Sequence, residues 1–130
     1  MTHSPIPEDL RRFILTSIPS VPFLEAMLLL RADPTQQWES AMLASRLYIR
    51  ERVASQVLAD LCTAGIARPC DAPATHCHRY APASEALRDR IDRLADLYAR
   101  QLVDVTHLIH SSIERQAQQF ADAFRLRKDE

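Results

Sequence analysis

Between Arg46 and Arg79 the chain gathers side chains suited to recognising a nucleic acid. Arg50, Arg52, Ser55 and Gln56 fall close together in RERVASQVLADL, and Arg68, His78 and Arg79 follow in IARPC and HCHRY. Guanidinium groups pair with phosphates and with the guanine edge, while hydroxyl and carboxamide groups bond phosphates or base edges. Arg46, just upstream, adds another cation. Glu51, Asp60 and Asp71 oppose this set, so the basic excess of residues 45–80 is mild. Phosphate contacts supply much of the affinity of a DNA reader, and a dimer offsets part of the shortfall by doubling the patch.

Two other groups have the chemistry of metal ligands. Asp104, His107, His110 and Glu114 share one arc of an expected helix. That arc lies opposite the apolar residues Leu102, Ile109 and Ile113, so it reads as a solvated face rather than a closed zinc set. Cys70, His76, Cys77 and His78 form the other group, but strand alternation sends His76 and His78 to one side and Cys77 to the other. No metal and no other cofactor is expected. The three cysteines are an odd number without framework spacing, which predicts a reduced, cytoplasmic protein with Cys70 and Cys77 as free thiols. They come within disulfide reach only if their Cβ atoms face each other. The chain has no glycine-rich phosphate loop, nucleophile elbow or paired carboxylates on a cleft-forming frame, so no enzyme is expected.

The elements that must position these residues are mostly helices. Of 130 residues, 47% are hydrophobic and 25% charged, with a formal net charge of −1 and a single glycine. That is a globular, helix-rich composition, without a global field to recruit DNA or an anionic membrane. The N-terminal MTHSPIPEDL lacks a signal-peptide core, and the longest apolar run, AMLLL, is too short to cross a bilayer. PEDLRRFILTSI predicts a first helix with Leu10, Phe13, Ile14 and Ile18 on its apolar face. Pro19 and Pro22 separate it from PFLEAMLLLRA, capped by Ser20 and apolar on nearly all sides, as a central core helix is. ESAMLASRL gives a short third helix with Met42, Leu43 and Leu47 inward. Residues 50–63 give a fourth with Val53, Ala54, Val57, Leu58 and Leu61 inward. Gly65 then closes this helix in the left-handed conformation and Ile66 returns to the core. IARPC, the turn DAPAT and HCHRYAP predict a two-stranded hairpin.

Helices followed by such a hairpin have the layout of a winged helix-turn-helix domain. Residues 20–82 resemble the core of bacterial MarR-type transcriptional regulators, through EAMLLLRADP, WESAMLASRLYI, RERVASQVLADLCTAGIARP and HCHRYAP. The spacing Val57-Leu58-x-x-Leu61-x-x-x-Gly65-Ile66 is the most family-like part. The resemblance implies a recognition helix from Arg50 onward in the major groove of double-stranded DNA, with the hairpin as a wing on the backbone or minor groove. It implies DNA contacts from Arg46, Arg50, Arg52, Ser55, Gln56, Arg68, His78 and Arg79. The alternative is a winged helix that binds another protein and no DNA. A metal- or thiol-responsive repressor is a further one.

After YAPAS no Pro or Gly interrupts residues 85–127, so one long helix is expected, capped by Ser84. Leu87, Tyr98, Ile109 and Phe120 recur every eleven residues, as do Ile91, Leu102, Ile113 and Phe124, with Leu94 and Val105 as a third row. An eleven-residue repeat holds one face over roughly 60 Å of helix. Residues 1–82 are expected to be too compact to bury it, so the stripe predicts coiled-coil pairing in a homodimer. Arg125, Arg127 and Lys128 end the helix where cations are favoured, and this tail can also dock on another protein. The expected organisation is a winged domain over residues 1–82 and a dimerisation helix over 83–130, mostly α with a small β-hairpin wing.

Overall fold

The computed structural model describes residues 5–71 and 77–128, the last three through their backbone. Helix α1 (Glu8–Ser17) starts after Pro7 with Glu8 and Asp9 in its first turn, where carboxylates favour the helix dipole. Ile18 ends it, and Ser20 caps α2 (Val21–Ala32) by accepting from the Phe23 N–H at 3.3 Å. Phe23, Leu24, Ala26, Met27 and Leu30 of α2 are buried, with Leu28 and Leu29 half-buried, so this helix is the centre of the core as expected. Helix α3 (Ser40–Leu47) buries Leu43 and Ala44, with Met42 and Leu47 partly buried. It ends on Tyr48, which adopts φ 56, a left-handed conformation usually left to glycine.

Helix α4 (Glu51–Thr63) buries Ala54, Val57, Leu58 and Leu61. Val53, expected inward, is exposed, because it lies at the edge of that face. The Gly65 turn has the expected form. Its φ is +78, its N–H reaches the Cys62 carbonyl at 3.0 Å, and the Ile66 N–H reaches the Leu61 carbonyl at 2.9 Å. This pair of bonds satisfies the last carbonyls of α4 in a Schellman closure and turns Ile66 into the core.

Strands β1 (Ala67–Pro69) and β2 (His78–Tyr80) pair antiparallel, with Ala67 opposite Tyr80, Arg68 opposite Arg79 and Pro69 opposite His78. Trp38, in the link between α2 and α3, forms a bridge to His78 with backbone hydrogen bonds of 2.8 and 2.9 Å. Cys70 and Cys77 are joined by a disulfide, with Cα atoms 5.4 Å apart. This corrects the expectation of free thiols. The antiparallel register continues past β1, with the Cys70 N–H bonded to the Cys77 carbonyl at 2.9 Å, and brings the two side chains together. The rest of the turn DAPAT after Asp71, together with His76, lies outside the described residues.

The long helix is broken. Ser84 caps α5 (Glu85–Arg100) by accepting from the Leu87 N–H at 3.1 Å, and Gln101, at φ −133 and ψ 53, separates it from α6 (Leu102–Lys128). No residue in this stretch is a strong helix breaker, so packing decides the break. Helix α1 lies against both α5 and α6, and the bend lets Leu97, Val105, Leu108 and Ile109 all reach the same core. Four residues expected at a partner's seam, Ile91, Leu94, Val105 and Ile109, are therefore buried by the chain itself. Residues 1–82 were expected to be too compact to cover them, but α1 packs against α5 and α6 and shares their core. One buried cluster runs from Leu10 to Ile109 and draws on every helix. Arg93 holds α5 to α1 by a two-pronged ion pair with Asp9, and Arg31 ties α2 to Asp92 at 2.8 Å. Among the described residues no single helix is long and apolar enough to cross a membrane.

Candidate nucleic-acid interface

The side chains singled out for nucleic-acid recognition fall on three elements. Arg52, Ser55 and Gln56 share the outer face of α4, opposite buried Val57, Leu58 and Leu61. Arg50 precedes this helix as its cap residue and brings no side-chain oxygen to the first-turn N–H groups. Those groups, with the positive end of the helix dipole, face the same end as Arg50 and Arg52. Gln56 donates its amide to Asp60 at 2.9 Å, so it must leave that bond before it can meet a base edge.

Arg68 and Arg79 stand directly opposite each other on the hairpin. Ala67 and Tyr80, the adjacent pair of the ladder, point into the core, while Arg68 is exposed and Arg79 half-buried. Like charges directly opposite destabilise a sheet. Among the described residues neither guanidinium has an ion pair or hydrogen bond, and the same holds for Arg50 and Arg52. A bound anion between Arg68 and Arg79 would remove the repulsion and gain charge-assisted bonds.

Arg46 and His78 are placed differently. The Arg46 guanidinium sits 5.7 Å from the ring centroid of buried Trp38, a cation–π contact that ties α3 to the strand-like link. His78 is half-buried, with its backbone engaged on both sides, by Trp38 and by β1. Sequence reasoning missed the part of Trp38, which lies in a segment that reads as a loop. It also missed Tyr48, whose ring is 95% exposed at the α3–α4 turn beside Arg50.

The sets with ligand chemistry do not close. His107, His110 and Glu114 are exposed along α6, and Asp104 is half-buried. Among the described residues no group of three or more His, Cys, Asp or Glu is arranged to hold a metal ion. Cys62, the free cysteine, is half-buried at the end of α4, and burial pushes its thiol up, which leaves little reactive thiolate. A cavity of about 420 Å³ opens between α1, the end of α4 and α6, lined in part by Phe13, Ile18, Ile66 and Ile113, with Asp60 as its one charged wall residue.

The stripe residues divide into three groups. Ile91, Leu94, Val105 and Ile109 are buried, Leu87 and Tyr98 are half-buried, and Leu102, Ile113, Phe120 and Phe124 are exposed at 53%, 40%, 72% and 59%. No protein-family model, curated protein or solved structure matches the chain.

Proposed function

We propose that the protein is a winged helix-turn-helix transcriptional regulator of the MarR type. It binds double-stranded DNA as a homodimer, with α4 in the major groove and the β1–β2 hairpin on the backbone. The order of elements supports this reading: α2, the Trp38 bridge, α3, α4 and the hairpin follow one another as they do in a winged helix. The observation that carries it is the facing Arg68–Arg79 pair, two cations without an ion-pair partner among the described residues, on the hairpin that follows α4. Arg50 and Arg52 extend the same cationic chemistry to the start of α4, and Ser55 supplies a hydroxyl for phosphate or base edges.

The test is selection of bound fragments from random or genomic duplex DNA, scored against Arg50→Ala/Arg52→Ala. The reading requires enrichment of a sequence that the variant loses. A lack of enrichment at low salt would instead favour the protein-binding winged helix. That second reading has its own support in Tyr48 and Val53, both exposed beside Arg50 and Arg52, and in the mild basic excess of the region.

A further inference from the structure

The cavity of about 420 Å³ between α1, the end of α4 and α6 takes no part in the candidate nucleic-acid surface. Its size falls within that of small-molecule sites, about 300–1,000 Å³, which are mostly apolar with a few placed polar groups. Phe13, Phe23 and Ile66 line it and are otherwise buried, so the core itself supplies the apolar wall. Ile113, which α6 leaves partly exposed, lines it as well.

The polar groups of the wall share one character. Asp60 is the one charged residue among them. Its carboxylate accepts from the Gln56 amide at 2.9 Å and has no ion pair among the described residues. Asp60 belongs to the last turn of α4, whose end also brings Thr63 and Ala64 to the cavity. A helix C-terminus carries negative partial charge and favours cations, yet this last turn has no basic residue. Thr16 and Thr63 donate their hydroxyl protons to the Arg12 and Ala59 carbonyls at 2.8 and 3.1 Å. The oxygens they leave to a ligand are therefore acceptors. A carboxylate, a helix C-terminus and acceptor oxygens beside an apolar wall call for a donor-rich cation on an apolar body. An anion would be repelled by Asp60, and a neutral body would desolvate the carboxylate without pairing it.

We propose that this cavity binds an amphipathic primary amine. Its ammonium group pairs with Asp60 at the end of α4, and its aromatic or aliphatic body lies on Phe13, Phe23 and Ile113. The ammonium supplies three donors and the positive charge that the wall lacks. Gln56 shares the Asp60 carboxylate, so an occupied site is joined to the outer face of α4 through one side chain. The proposal goes beyond the DNA-binding reading and stands without it.

Calorimetric titration of the full chain with phenylbutylamine, phenylbutanol and phenylbutyrate tests it, because the three share one apolar body and differ in charge. The amine should bind about tenfold or more tightly than the alcohol, as a charge-assisted hydrogen bond gives, and the carboxylate should bind weakest. In nuclear magnetic resonance spectra the amine should move the side-chain amide signals of Gln56. Asp60→Asn keeps an acceptor for Gln56 and removes the charge, so it should bring the amine down to the affinity of the alcohol and leave the alcohol unchanged. Ile113→Trp should fill the cavity and weaken amine and alcohol alike, with unchanged helical circular dichroism. An alcohol that binds as tightly as the amine overturns the proposal, and so does an amine affinity that Asp60→Asn leaves intact. Amine binding untouched by Ile113→Trp places the ligand elsewhere and overturns it too. A lack of saturable amine binding up to about 1 mM removes the site altogether. The comparison of the three ligands needs no variant, and none of these outcomes bears on whether the protein binds DNA.

Discussion

The two ends of α6 carry the same apolar repeat and have opposite fates. From Val105 to Ile109 the stripe is sealed against α1 and α5, whereas from Ile113 to Phe124 it stands in solvent. Periodicity reports that a helix has an apolar face; it does not report what covers that face. The covered stretch belongs to folding, and the bare stretch is open to association. Helices α1 and α5 both pack against α6, and its large apolar residues beyond Ile109 remain exposed.

Substitution at the two ends should separate these roles, and the largest effect belongs to the covered one. Ile109→Ala is expected to lower the unfolding free energy by about 2–5 kcal/mol, since it opens a cavity in a packed core. Phe120→Ala should change it by less than about 0.5 kcal/mol when the protein is dilute enough to be monomeric. Chemical denaturation of both variants measures the contrast, and equal losses would erase it.

The hairpin gives a smaller contrast of the same kind, between a held and an unheld element. Its ladder is short, so the Cys70–Cys77 bond is expected to matter. Closing so short a loop contributes about 2 kcal/mol in the chain-entropy account. Reduction, or Cys77→Ala, should lower stability by that order in a denaturation series. An unchanged midpoint would mean that Trp38 and Tyr80 hold the hairpin alone.

Two left-handed residues sharpen the distinction further. Gly65→Ala should cost about 1–2 kcal/mol, because φ is +78 there and the new Cβ would lie 3.4 Å from that of Ala83. Tyr48→Gly should cost no more than about 0.5 kcal/mol, since relief of its backbone conformation offsets the entropy of a glycine. A large loss at Tyr48 would show that its exposed ring serves the fold.

The smallest effect is at the docking of α1 on α5. The hydrogen bond from Arg93 holds the Asp9 carboxyl below its ordinary value. A depressed carboxylate contributes stability above its unfolded value and loses it as pH falls through the folded one. Asp9→Asn should therefore lower stability slightly at neutral pH, with the two curves converging as pH drops below the usual carboxylate range. Thermal melts across that range provide the comparison, and a constant gap would contradict the assignment.

Features written in local chemistry were legible in the sequence. Ser20, Ser84 and Gly65 each act within a turn of their own position, through a cap or a left-handed closure. The all-round apolar character of α2 placed it at the centre. Features that depend on distant residues were not legible. Nothing around Gln101 marks a break, because the bend answers to α1, some ninety residues earlier in the chain. Tyr48 carries no signal for its conformation. Arg68 and Arg79 were both recognisable as cations on a hairpin, but their facing positions follow from the register, which the cysteine bond and the Trp38 bridge accompany. For the candidate nucleic-acid surface, residue types were readable and juxtaposition was not.

The central claim, that the facing arginines and the α4 face hold a DNA backbone, is tested most directly by the salt dependence of binding to a selected duplex. Fluorescence anisotropy would compare the wild type with Arg68→Ala/Arg79→Ala across ionic strength. Each lost phosphate contact should lower the slope of log affinity against log salt by about one, so two per protomer should leave a clearly flatter line and weaker binding to every sequence. Equal slopes and equal affinities for the two proteins would contradict the claim.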